Sequence, residues 1–110
     1  MRPVILNKYR DAIPESARSI MRDSQWGNPH PLKKFKNNRQ LVVQMYVPYL
    51  DDLLTDPEIM ERFVALAKVP YFYCVCKPQL CHGDVILAKM EDLGLIDLHA
   101  GQPIHLPFNR

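Results

Sequence analysis

Residues 69–94, VPYFYCVCKPQLCHGDVILAKMEDLG, carry the reading that decides the fold. Residues 69–76 are rich in aromatic and β-branched side chains and predict a strand. Both alternating sets are apolar, so burial on both faces is expected. Pro70 suits the first position of such a strand, because it has no N–H to give to a ladder. The segment KPQL then forms a connecting loop. From Cys81 or His82 the spacing predicts a helix that reaches Leu93 and stops at Gly94. Val85, Ile86, Ala88, Met90 and Leu93 would form its buried face.

The rest of the chain extends this pattern. Val4-Ile5-Leu6 predicts a first strand, with Asn7, Lys8 and Tyr9 at its end, where polar side chains can face a site. Ile13-Pro14-Glu15-Ser16 is a turn signal. Residues 17–22 predict a second strand with Arg22 at its exit, and DSQWGNPHP, with Gly27, Pro29 and Pro31, is a loop. Asn37 or Asn38 can cap a helix that starts near Arg39. Leu41, Val42, Met45, Tyr46, Tyr49, Leu50, Leu53 and Leu54 recur at helical spacing. Pro48 falls inside that pattern and predicts a kink or a break. Thr55-Asp56-Pro57-Glu58 is a helix start, a capping residue before a proline and an acid. It opens a helix over about residues 57–67 that buries Ile59, Met60, Phe63, Val64 and Leu66. Ile104-His105-Leu106, between Pro103 and Pro107, reads as an edge strand or as an ordered or flexible extension.

The order is strand, strand, two helices, strand, helix. It predicts an α/β fold, a small single domain with a sheet of three to four strands packed with about three helices. The domain would occupy residues 1–94, with 95–110 as a C-terminal extension. A chain of 110 residues buries roughly 65% of its unfolded surface, enough for one core. With 47% apolar and 24% charged residues, it has the composition of a soluble globular protein rather than a disordered one. A net charge of +2 gives no strong nucleic-acid signal, and Lys33-Lys34-Phe35-Lys36 reads as a solvated loop. No apolar run is long enough to span a bilayer, so no membrane partner is expected. The N-terminus lacks a cleavage pattern, which points to a cytoplasmic location and reduced cysteines.

All three cysteines fall in residues 73–84, YCVCKPQLCHGD. Cys74 and Cys76, two apart on the expected strand, would share a face with Phe72. Cys81 would stand at a helix N-terminus, where partial positive charge favours a thiolate and an anion. Three readings compete. In the first, the cysteines are small buried hydrophobes. In the second, Cys74, Cys76, Cys81 and His82 hold zinc and support the fold, although the C-x-C spacing on a strand suits zinc poorly. In the third, a polar pocket lies between the CHGD helix start and the WGNP loop. In open α/β sheets ligands favour the carboxyl ends of strands. Arg22 would grip an anion, Trp26 would stack on a flat ring and Asn28 would read polar edges, with Asn7 and Cys76 as further contacts. Cys81 would be a thiol contact or nucleophile, and His82 or Asp84 the acid or base. This third reading leads, with a small anionic or nucleotide-like ligand, no cofactor and no metal.

Two motifs carry a resemblance to a known family. They read Arg22-Asp23-Ser24-Gln25-Trp26-Gly27-Asn28-Pro29 and Cys74-Val75-Cys76-Lys77-Pro78-Gln79-Leu80-Cys81-His82-Gly83-Asp84-Val85. Together they resemble a family described only as a domain of unknown function, number 4326, common in phage and bacterial genomes. The likeness runs over roughly residues 4 to 93. Val75 stands where such proteins often have Trp, and His30 where an aromatic commonly follows the Asn-Pro pair. The first departure bears on packing, the second on the pocket rim. The resemblance implies a compact α/β domain and a phage or prophage origin, hence the host cytoplasm, and it brings no settled activity. It also raises a rival role, a phage protein that binds and modulates a host protein. The interface would then be the Met45, Tyr46 and Tyr49 helix face or the Pro-rich tail.

Overall fold

The computed structural model describes residues 3–75, 77 and 79–96. Cys76, Pro78 and the segment proposed for residues 104–106 lie outside the described residues, as does most of the expected C-terminal extension. Three strands form one parallel sheet in the spatial order β1-β3-β2: β1 (Val4–Asn7), β2 (Arg18–Ser19) and β3 (Tyr71–Cys74). Val4 lies opposite Tyr71 and Asn7 opposite Cys74, while Arg18 faces Phe72 and Ser19 faces Tyr73 across the other ladder. Helices α1 (Arg39–Leu53), α2 (Pro57–Leu66) and α3 (His82–Asp92) complete the small α/β domain, with a 3₁₀ turn at Leu32–Phe35. Because every strand is parallel to its neighbour, each return needs a crossover, and all three carboxyl ends fall on one edge of the sheet.

The helix starts follow local chemistry. The Asn38 side chain accepts from the Leu41 N–H at 3.0 Å to cap α1. Asp56 Oδ1 accepts from the Glu58 N–H at 2.9 Å, with Pro57 as the first helical residue of α2. Gly94, at φ +71, takes the left-handed position beyond α3. The break expected at Pro48 does not occur, and α1 runs through it. Pro48 is exposed, and so is Gln44, whose carbonyl loses its helical donor to the proline ring. Water can satisfy that carbonyl, so the helix tolerates the loss.

Two strand readings are corrected. The second strand, expected over residues 17–22, has its ladder only at Arg18–Ser19, with one further bond from the Ile20 N–H to the Tyr73 carbonyl. Ser19 Oγ then accepts from the Met21 N–H at 3.1 Å and donates to Asp23 at 2.6 Å. Ser24 Oγ donates to the Met21 carbonyl at 2.8 Å. These serine bonds outcompete a ladder and turn the chain, which leaves Arg22 just past the strand. The other correction is to β3, which is shorter than expected and fully buried on one face only. Phe72 and Cys74 are buried, whereas Tyr71 and Tyr73 are half-buried, an amphipathic pair that keeps part of each ring at the surface.

Phe72, Cys74 and Ile20 share a core with Tyr46 and Leu50 of α1 and with Ile86 and Met90 of α3. All seven side chains are at most 1% exposed, and each large apolar one contributes about 1.5–3 kcal/mol by leaving water. Leu93, expected in this face, is 41% exposed, because α3 has already closed and Leu93 caps it. Tyr46, expected on an outward interface, is completely buried, so that surface cannot include it.

Candidate functional site

The exit of β3 is shaped by Asn7. Its side chain is buried and donates from Nδ2 to the carbonyls of Lys77 (2.6 Å) and Val75 (3.3 Å). Its Oδ1 accepts from the Tyr9 N–H at 2.8 Å. Asn7 therefore braces the loop after β3 with its own polar atoms and is not among the residues lining the cavity described below.

The loop after β2 is held just as tightly. Asn28 Nδ2 donates to the Val42 carbonyl at 3.0 Å, Oδ1 accepts from the His30 N–H at 2.9 Å, and the Asn28 carbonyl accepts from Arg22 Nε at 3.1 Å. Trp26 is buried and tilted against Phe63, with ring centroids 5.4 Å apart, and its carbonyl accepts from the Tyr46 hydroxyl at 2.7 Å. Burial pushes that phenol far above its ordinary range, so it stays a donor. Gly27 is required where it stands. A Cβ there would lie 2.5 Å from Arg22 Cα and 2.7 Å from the Met21 carbonyl, both backbone atoms. The bare approach of Gly27 places Arg22 beside the start of α3.

At that start Cys81 is the N-cap, with extended backbone. Its N–H donates to Asp84 Oδ2 at 3.1 Å, while Asp84 Oδ1 pairs with Lys77 Nζ at 2.6 Å. Both carboxylate oxygens of Asp84 are thus engaged in tying the loop to the helix. His82 is buried, bonds through Nε2 to the Ile20 carbonyl and packs edge-on against Tyr46 at 5.1 Å. Burial lowers its pKa, Arg22 adds to the lowering, and the Ile20 carbonyl and Asp84 oppose it. A neutral ring that donates from Nε2 satisfies that carbonyl. Gly83 lets the helix sit on the sheet, since a Cβ would fall 2.6 Å from Ile5 Cδ1 and 2.8 Å from Ile20 Cδ1.

Between these parts lies a cavity of about 370 Å³, within the range of small-molecule sites. Arg22, Asn28, Cys81 and His82 all border it. Asn7, Trp26 and Asp84 do not border it, and Cys76 is outside the described residues. Trp26 edges a separate groove with Arg18 and Arg62. The walls are mostly apolar, from Met21, Leu32, Val42, Val43 and Val75, and no acidic side chain is among them.

Arg39 borders the same cavity and was missed by sequence reasoning. Among the described residues its side chain makes one bond, to the Leu80 carbonyl, long at 3.5 Å. A usable signal did exist. Arg39 is the first residue of α1, where the helix dipole disfavours a cation, and no acid stands in that first turn to offset it. Among the described residues neither Arg22 nor Arg39 has a carboxylate partner, and no group of three or more His, Cys, Asp or Glu is placed to hold a metal ion. No helix among the described residues is long and apolar enough to cross a membrane.

The sequence model of the family described as Domain of unknown function (DUF4326) matches residues 5–92, so the chain belongs to that family. No curated protein and no solved structure matches the chain.

Proposed function

We propose that this member of the DUF4326 family binds a small anionic, nucleotide-like molecule in the cavity at the carboxyl edge of its sheet. One arrangement carries the reading: two arginines, without acidic partners among the described residues, share a mostly apolar cavity. Arg22 and Arg39 grip the anionic group, and the amino ends of α1 and α3 add favourable potential. The apolar walls from Leu32, Val42 and Val43 take the flat or aliphatic remainder. Asn28 braces the loop that carries Arg22, and neutral His82 fixes the helix start. Cys81 is the thiol contact, and any covalent step falls to it. Asp84 keeps the helix start in register.

Hydrogen bonds to charged groups contribute about 1.5–3 kcal/mol each. Loss of either arginine should therefore weaken binding by about 10- to 150-fold. The test is calorimetric titration of the chain with adenosine 5′-monophosphate and, separately, with inorganic phosphate. Saturable binding of the nucleotide, weakened at least tenfold in both Arg22→Gln and Arg39→Gln, supports the reading. Binding of phosphate alone with equal affinity restricts the ligand class to simple anions. No saturation with either probe, or affinity unchanged in both variants, overturns it.

A further inference from the structure

Cys74 ends β3 and Cys81 precedes α3, so in sequence they belong to different elements. In the fold their sulfur atoms are 3.7 Å apart, both 1% exposed, and both on the wall of the cavity. Among the described residues neither takes part in a disulfide. A disulfide needs its sulfurs about 2.05 Å apart, so closure requires a modest shift of two side chains.

We propose that Cys74 and Cys81 form a redox-active dithiol, a modification site whose oxidant is hydrogen peroxide admitted through the cavity. One thiol attacks the peroxide oxygen, the O–O bond breaks, and a sulfenic acid and water form. The second thiol then attacks that sulfur, the S–O bond breaks, and a disulfide and a second water are released. In total two thiols and one hydrogen peroxide give one disulfide and two waters, with two electrons passing to the peroxide. The bond ties the end of the central strand to the start of α3 and redraws the cavity wall. This inference stands on the sulfur geometry and not on the proposed ligand.

The experiment treats the folded chain with a slight excess of hydrogen peroxide and then counts thiols after denaturation. The wild type should fall from three thiols to one. The Cys76→Ser chain should fall from two to none, with a mass lower by two hydrogens, no added oxygen, and recovery with dithiothreitol. In Cys74→Ser, Cys81 should instead collect oxygen. A Cys76→Ser chain that keeps both thiols, gains oxygen without a cross-link, or links only between molecules overturns the proposal. If that variant does not fold, digestion of the oxidised wild type to separate residue 76 from 74 and 81 decides the pairing. A bond that involves Cys76 is the contrary result.

Discussion

Replacing Asn7 by Asp tests whether this residue is a structural brace rather than a ligand contact. The amide donates to two carbonyls, at 2.6 and 3.3 Å, from a position only 6% exposed. A carboxylate there loses both bonds, at about 1 kcal/mol each, and holds a charge against two acceptors in a buried place. The expected cost at pH 7 is about 3–4 kcal/mol. With a slope near 1 kcal/mol per molar urea, the unfolding midpoint should fall by about 3 M. The penalty belongs to the ionised form, so the introduced carboxyl is protonated in the folded state well above its ordinary range. A protonated acid can again donate to the Lys77 carbonyl. The deficit against wild type should therefore be smallest near pH 4 and grow as pH rises through the raised folded value. Urea titrations of Asn7→Asp, Asn7→Ala and wild type at pH 4, 5.5 and 7 read this directly. The alanine variant should lose stability without that pH trend. A wild-type midpoint in Asn7→Asp at pH 7, or a deficit of equal size at pH 4 and 7, means that Asn7 is not a buried brace.

Arg39→Gln should raise stability by about 0.3–1 kcal/mol while it weakens ligand binding, because it removes a cation from the positive end of α1; a loss above 1 kcal/mol on urea unfolding would show that Arg39 is a structural contact. Gly27→Ala should cost about 1–3 kcal/mol, since its Cβ meets backbone rather than a movable side chain, and a melting temperature within a degree of wild type contradicts the close approach. His82 has a lowered pKa, so its stabilisation is complete above about pH 6.5 and is lost as pH falls through the folded value. Wild type should thus lose up to about 1.4 kcal/mol per pH unit below 6.5, and His82→Gln should lack that slope between pH 6.5 and 5.5; equal slopes in the two chains count against a buried neutral ring.

Much of the fold was legible because its signals are local. Asn38, the Asp56-Pro57 pair and Gly94 act within one helical turn, and each stands where its chemistry predicts. The length of β2 was not legible. Ser19 and Ser24 can serve a strand or a turn equally, and only the three-dimensional competition decides it. The site divides in the same way. Arg22, Asn28, Cys81 and His82 do meet around one cavity, as motif spacing on strand exits suggests. The polar groups of Asn7 and Asp84 are instead engaged by Lys77 and its neighbours, and Trp26 by Phe63 and Tyr46, none of which sequence spacing brings to mind. The approach of Cys74 to Cys81 was hidden for a related reason. Sequence places Cys74 on a strand and Cys81 at a helix start, and the loop between them folds the two places into one.

Whether Arg22 and Arg39 hold an anion in one cavity can be read from the guanidinium Nε–H signals of both residues, followed by NMR during titration with adenosine 5′-monophosphate. Both signals should shift along one saturation curve, together with the backbone amides of residues 81–83. Signals that stay in place, or that drift without saturating while other surface residues move as much, contradict it.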